Sequence, residues 1–328
     1  MASSSHSVSA SRAVIPYQPL VVAPETIAHE VFRRSWETAR YEISRLNPEI
    51  PLAERRLSPF LPRPTGAFPV GHTHFTLVPG QYHEGDKQIG IEIYAPIHAP
   101  AQGLPLIIFS HGFSALSTDY RHLVEEIASH GFNVVCLNHP SSSCYSPILQ
   151  EEDEMERSAP EKVPAIMEML AQRQVANIGF VLETLRDSSC VRASDTVVLA
   201  GHSLGGAASI LAARSHPSIS ACVNLDGGLV GSDETKTAGL TIPMLTLRSD
   251  FDLSDPYLVR FYNEWVAFHA NSSPYSHFET IPNIGHMDFM ISSFNDEEGV
   301  DAGIAALVTT SQKILQLMHR VHTHPQSE

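Results

Sequence analysis

From about residue 70 onward, short apolar runs rich in β-branched residues alternate with stretches whose apolar positions recur every three or four residues. The runs at 104–110, 132–137, 196–200, 221–225 and 243–247, with a shorter one at 277–281, read as strands. Two further β-rich segments, 72–78 and 88–94, are separated by Pro79-Gly80 and Gly85-Asp86 and predict a hairpin. Helical spacing appears in Tyr120, Leu123, Val124 and Ile127, and again in Val163, Ile166, Met167 and Leu170. The latter pattern runs on through Val175, Ile178, Leu182 and Leu185. Further helices are predicted over about 255–269 and 300–321, the last placing Ile304, Leu307, Val308, Ile314, Leu315 and Met318 on one face. Strands alternating with helices predict an α/β fold, with a mostly parallel sheet of about eight strands covered on both faces.

The first seventy residues follow a different pattern. Residues 1–24 are polar and small with interspersed prolines, a composition that predicts disorder. Over 26–46, Phe32, Trp36, Ala39, Ile43 and Leu46 share a helical face, and proline-rich 47–70 reads as an irregular wrap. The expected organisation is thus a disordered 1–24, a helical and proline-rich extension over 25–70, and one α/β domain over 71–322. No apolar h-region is visible near Met1, and no run is long enough to span a membrane. The expectation is a cytoplasmic protein, with export by a route lacking such a mark left open. The polar segment 139–160 carries Glu151-Glu152-Asp153-Glu154; it reads as a solvated loop, with a lid as the alternative.

Composition narrows the function classes. The 328 residues are 43% hydrophobic, ample for a buried core, and the formal net charge of −15 disfavours a nucleic-acid partner. The 18 histidines could offset much of that charge in acid. The four cysteines form no C-x-x-C pair, and Cys136 and Cys222 lie in apolar runs where each serves as a small hydrophobe. Sequence leaves their disulfide status open. His72-x-His74 is read as decorating a strand rather than binding zinc.

The candidate chemistry centres on Gly201-His202-Ser203-Leu204-Gly205-Gly206, which follows the run 196–200 and precedes the helix-prone Ala207-Ala208-Ser209-Ile210-Leu211. Strand, tight turn and helix in that order make Gly-x-Ser-x-Gly a nucleophile elbow with Ser203 exposed at its crest. A bystander serine in a glycine-rich turn is the alternative. A serine hydroxyl needs a base, and in this arrangement the chain order is serine, acid, histidine. Among the histidines beyond Ser203, His286 alone follows a strand and a glycine, in Ile284-Gly285-His286-Met287-Asp288-Phe289. Histidines 216, 269, 277, 319, 322 and 324 lack that context. For the acid, Asp226 ends one strand and Asp250 and Asp252 follow the next; the residues themselves scarcely separate them. Backbone N–H groups of Leu204 and Phe113 are the expected oxyanion donors, the latter in Ser110-His111-Gly112-Phe113. His111 is expected only to pack or bond locally.

Four segments together resemble the plasma-type platelet-activating-factor acetylhydrolases and their microbial relatives within the α/β-hydrolase superfamily. They are Ile108-Phe109-Ser110-His111-Gly112-Phe113, the elbow, Val223-Asn224-Leu225-Asp226-Gly227 and Gly285-His286-Met287-Asp288-Phe289. The likeness spans about residues 70–320, and Arg173-Gln174-Val175 is similar as well. It implies an α/β-hydrolase fold, a catalytic set of Ser203, Asp226 and His286 with Asp252 as the alternative acid, and no cofactor or metal. It implies a calcium-independent serine esterase that releases short or oxidised acyl chains from phospholipid-like esters. The partner would be a small-molecule or lipid ester, which allows transient contact with a membrane surface; oligomeric state stays open. The motifs are also similar to the cutinase and polyester-hydrolase group, where the acid aligns nearer Asp252. A general esterase or lipase is therefore the second reading, and a catalytically silent binding module on the same fold the third.

Overall fold

The structure is a computed structural model, and it describes residues 60–81, 83–97, 99, 103–146, 162–186, 193–250, 256–294 and 299–323. Its centre is a sheet of eight strands in the order β1-β2-β4-β3-β5-β6-β7-β8. These are β1 (Val70–Leu77), β2 (Ile89–Pro96), β3 (Leu104–Ser110), β4 (Asn133–Asn138), β5 (Ala193–His202), β6 (Ala221–Leu225), β7 (Met244–Arg248) and β8 (His277–Thr280). β2 pairs antiparallel with both neighbours, and every other pairing is parallel. The expected hairpin is β1–β2, in register from Val70↔Pro96 to Leu77↔Ile89.

The strands read as nearly continuous apolar runs because both faces are covered. On one face Ile107, Phe109, Val134, Cys136, Val198 and Val223 pack beneath α1 (Arg121–Ser129) and the terminal helix α6 (Val300–Thr323). On the other, Leu106, Ile108, Val135, Leu137 and Leu199 pack beneath α2 (Val163–Arg186) and α3 (Leu204–Ser215). A third cluster on that side sets Trp265 and Phe268 of α5 (Pro256–Ala270) against Cys222 and Met244. Cys136 and Cys222 are thus core residues, as small hydrophobes in strands should be. A five-residue helix that the periodicity did not predict, α4 (Asp233–Thr237), starts at Ser232, whose hydroxyl accepts from Thr235 N at 3.2 Å.

One predicted face requires correction. In α6 the buried set includes Ala306, Leu307, Ile314, Leu317, Met318 and Val321, while Ile304 and Val308 are exposed. The helix buries a small alanine and the polar Thr310 and Ser311, which apolar counting passes over.

Residues 1–24, the predicted helix over 26–46, Glu151–Glu154 and Asp252 lie outside the described residues. The end of the extension is described: Thr65 N and Oγ1 donate to the Glu126 carboxylate at 2.7 and 2.5 Å, and Phe68 N donates to Ser129 O at 3.0 Å. Residues 60–69 therefore dock on α1 without forming helix or strand. Among the described residues no helix is long and apolar enough to cross a membrane.

The parallel strands share one consequence for chemistry. The segments after β3, β5, β6, β7 and β8 all leave the sheet at the same carboxyl edge, where open α/β sheets hold ligands.

Candidate active site

At the end of β5 the chain reverses into α3 through Ser203, whose backbone sits at φ 54°, ψ −121°. A serine at positive φ is strained and persists only where its surroundings enforce it. Here Ser203 N donates to Leu225 O at 2.8 Å and Ser203 O accepts from Ala207 N at 3.1 Å. The glycines make the turn sterically feasible. A Cβ on Gly201 would lie 2.3 Å from the Gly205 carbonyl carbon, and one on Gly205 would lie 2.1 Å from Ser110 O. Gly205→Ala is accordingly expected to destabilise the fold by about 3 kcal/mol through overpacking against backbone that cannot yield. A urea titration of the variant reads this directly.

The segment after β3 runs beside the serine. Ser114 N donates to Ser142 O at 2.8 Å and Ala115 N to Gly112 O at 3.3 Å, but Phe113 N makes no hydrogen bond among the described residues. Leu204 opens α3, so its N–H has no intrahelical acceptor and lies at the positive end of the helix dipole. The two expected oxyanion donors are therefore both unengaged. His111 behaves as a local anchor: buried, it directs Nδ1 at Gly112 O (2.7 Å), while Nε2 accepts from His139 N (2.9 Å).

Asp226 follows β6, itself at φ 53°. Its Oδ2 accepts from His286 Nδ1 and from Ser249 Oγ, both at 2.6 Å. Its Oδ1 accepts from Ser249 N at 3.0 Å and lies 3.1 Å from Arg248 Nε. Burial alone would push this carboxyl up; the His286 hydrogen bond, the Arg248 guanidinium and the Ser249 hydroxyl outweigh it and hold the group well below the usual carboxylate range. The guanidinium is itself braced, donating to Gly227 O at 2.9 Å and stacking 4.5 Å from the Phe261 ring. With Nδ1 committed to Asp226, His286 presents Nε2 as its free nitrogen. The side chain is 45% exposed, whereas that of Asp226 is 2% exposed.

His286 opens a short 3₁₀ turn, His286–Phe289, held by Asp288, which accepts from Gly285 N at 2.7 Å and Ser293 Oγ at 2.6 Å. The His286 ring lies 4.5 Å from that of His202, the neighbour of Ser203 in the chain. Among the described residues Ser203 Oγ and His286 make no hydrogen bond to each other.

The competing residues go elsewhere. Asp250 takes Asn283 N at 3.1 Å and braces the turn before His286 without touching its ring. His269 bonds Thr246 Oγ1, His277 bonds Glu279, and His322 bonds Thr196. His72 stacks on Tyr94 beside Glu92. Periodicity passes over Arg248, Ser249 and Asp288, which brace Asp226 and the turn that carries His286. No local pattern singles out Arg248 and Ser249: they come to Asp226 only through the pairing of β7 with β6.

Comparison with known proteins adds a family likeness over part of the chain and a fold. Residues 70–177, about a third of the chain, match the family described as platelet-activating factor acetylhydrolase, isoform II. A probable 1-alkyl-2-acetylglycerophosphocholine esterase of Arthroderma benhamiae is 27% identical over 135 residues, 41% of this chain and 34% of that protein's length. The chain thus matches about a third of the curated relative. A ferulic acid esterase from Streptomyces cinnamoneus is similar in structure with a TM-score of 0.64 at 17% identity, covering 79% of this chain and 92% of that one. With the strand order above, this establishes the α/β-hydrolase fold.

Proposed function

We propose that the chain is a serine-dependent carboxylic ester hydrolase that releases short acyl groups from phospholipid-like esters. The observation that carries the reading is the hydrogen-bonded Asp226–His286 pair, whose histidine ring adjoins that of His202, next in the chain to a strained Ser203 flanked by two unengaged N–H groups. The family match ends at residue 177, before the elbow, so the roles of Ser203, Asp226 and His286 rest on geometry rather than on that match.

In this mechanism His286 Nε2 takes the Ser203 proton as Oγ bonds to the ester carbonyl carbon. The carbonyl oxygen becomes an oxyanion held by the Phe113 and Leu204 N–H groups. Asp226 fixes the tautomer and balances the imidazolium. His286 then protonates the leaving alcohol, and the same base activates water against the acyl-enzyme, returning Ser203 to its free form. Every proton in this cycle passes through one imidazole.

Two features support the substrate class. The family match and the curated relative both carry descriptions of enzymes acting on an acetylated ether phospholipid. In addition, Phe113, Ile166, Met167 and Val230, all half-buried, pack with Leu170 and Leu204 into an apolar wall beside the proposed oxyanion donors. Such a wall suits an apolar acyl or alkyl group.

A fluorophosphonate probe is expected to label one serine, mapped by peptide mass to Ser203. Rates on p-nitrophenyl esters from acetate to palmitate should fall with chain length and be indifferent to EDTA. An acetylated ether phospholipid should be hydrolysed in the same assay. Failure to cleave it, with the long esters preferred, would establish a general lipase instead.

A further inference from the structure

His202 occupies a variable position of the Gly-x-Ser-x-Gly turn, where chemistry asks nothing of the side chain. Yet its imidazole is 1% exposed. A buried imidazole is costly unless both nitrogens find partners. Both do: Nδ1 lies 2.8 Å from Tyr120 Oη, and Nε2 lies 3.0 Å from the backbone oxygen of His286. A carbonyl only accepts, so Nε2 carries the proton and Nδ1 accepts from the Tyr120 hydroxyl. Tyr120 Oη in turn accepts the Gly112 N–H at 3.1 Å. All three bonds thus point one way, from Gly112 N–H through Tyr120 and His202 to the His286 carbonyl. Burial, with His286 adjacent, pushes His202 down to about 3, which keeps the ring neutral and this polarity fixed at working pH.

The two ends of the chain of bonds matter. Gly112 immediately precedes Phe113, the proposed oxyanion donor; the His286 carbonyl belongs to the proposed base. We propose that Tyr120 and His202 are positioning residues that fasten the oxyanion loop to the loop carrying the general base, so that the two keep a fixed spacing across Ser203. This rests on the serine-hydrolase reading above. Neither side chain hydrogen-bonds Ser203 Oγ or a ring nitrogen of His286; His202 meets the base through its carbonyl and a ring contact at 4.5 Å. Packing makes the fastening stiff. A Cβ on Gly112 would lie 3.0 Å from Ser203 Cβ, 3.2 Å from His202 Nδ1 and 3.3 Å from Tyr120 Oη, so the loop lies directly on both. Tyr120 is fully buried, its ring 4.9 Å from Phe109, at the end of the 3₁₀ turn Ser117–Tyr120. Asp119 closes that turn by accepting Leu116 N at 2.9 Å.

The test uses the full chain with Tyr120→Phe, His202→Leu, the double variant and His202→Gln. It measures p-nitrophenyl acetate kinetics and inhibition by a trifluoromethyl ketone, which forms a tetrahedral adduct on the serine. Each single loss is expected to lower kcat about tenfold, as for an oxyanion donor tilted rather than deleted. KM should stay within about twofold, and ketone affinity should fall in step with kcat. Because both substitutions cut one chain, the double variant should be within about twofold of the worse single one. His202→Gln, whose amide supplies one acceptor and one donor, should recover most of kcat. Additive losses, losses carried by KM, or a glutamine variant as poor as leucine would overturn the relay. Tyr120→Phe preserves ring volume; if His202→Leu does not fold, its kcat and ketone affinity decide the matter. Wild-type protein that the fluorophosphonate leaves unlabelled refutes the hydrolase reading itself. Labelling intact in wild type, with Tyr120→Phe kinetically unchanged, refutes only the relay.

Discussion

Ser203→Ala is expected to lower esterase kcat by about 10⁶-fold, the scale on which loss of a triad nucleophile acts. It should also abolish fluorophosphonate labelling. The fold should survive, because alanine meets the same left-handed backbone as serine and the bonds to Leu225 O and from Ala207 N are made by the main chain. A melting temperature equal to or above wild type is expected, since active-site geometry commonly opposes stability. What remains of the activity should reflect the oxyanion donors and binding alone. Turnover within tenfold of wild type, measured on p-nitrophenyl acetate, would remove Ser203 from the mechanism.

Much of this arrangement is legible in the chain, for a physical reason. Parallel strands covered on both faces must be apolar throughout, so β3, β6 and β7 announce themselves as runs. The elbow is legible because only glycine tolerates the contacts at 201 and 205, which fixes the residue types on either side of Ser203. His286 was marked by strand and glycine context. The acid was not: Asp226, Asp250 and Asp252 all follow strands, and what distinguishes Asp226 is a cradle supplied by Arg248 and Ser249 from the neighbouring strand. Strand adjacency is a property of topology, which no local pattern encodes. The same holds for Tyr120 and His202, separated by 82 positions yet sharing one hydrogen bond. The exposed Ile304 and Val308 show the converse, since apolar spacing alone cannot register that Thr310 and Ser311 are buried.

Asp226→Asn is expected to lower kcat about 10⁴-fold with little change in KM, the signature of a lost tautomer lock. The amide keeps the shape of the carboxylate, and its oxygen can still accept Ser249 N. Its NH₂ then stands where Oδ2 met His286 Nδ1, at 2.6 Å. A donor there forces the imidazole proton onto Nε2, the nitrogen that receives the serine proton in the proposed mechanism. Stability should change too, by about 3 kcal/mol, because Arg248 loses the carboxylate it faces in a buried setting. That loss depends on pH with a definite sign. The folded carboxyl titrates below its unfolded value of about 3.9, so its contribution is full above that value and drains away as pH falls through the folded one. Wild type should therefore lose stability in strong acid along a slope that Asp226→Asn lacks, with the two curves converging at the lowest pH. Asp252→Asn should match wild type in both kcat and acid melting. A crippled Asp252→Asn beside an active Asp226→Asn would move the acid to the loop after β7 and leave the carboxylate that touches His286 with a structural role only.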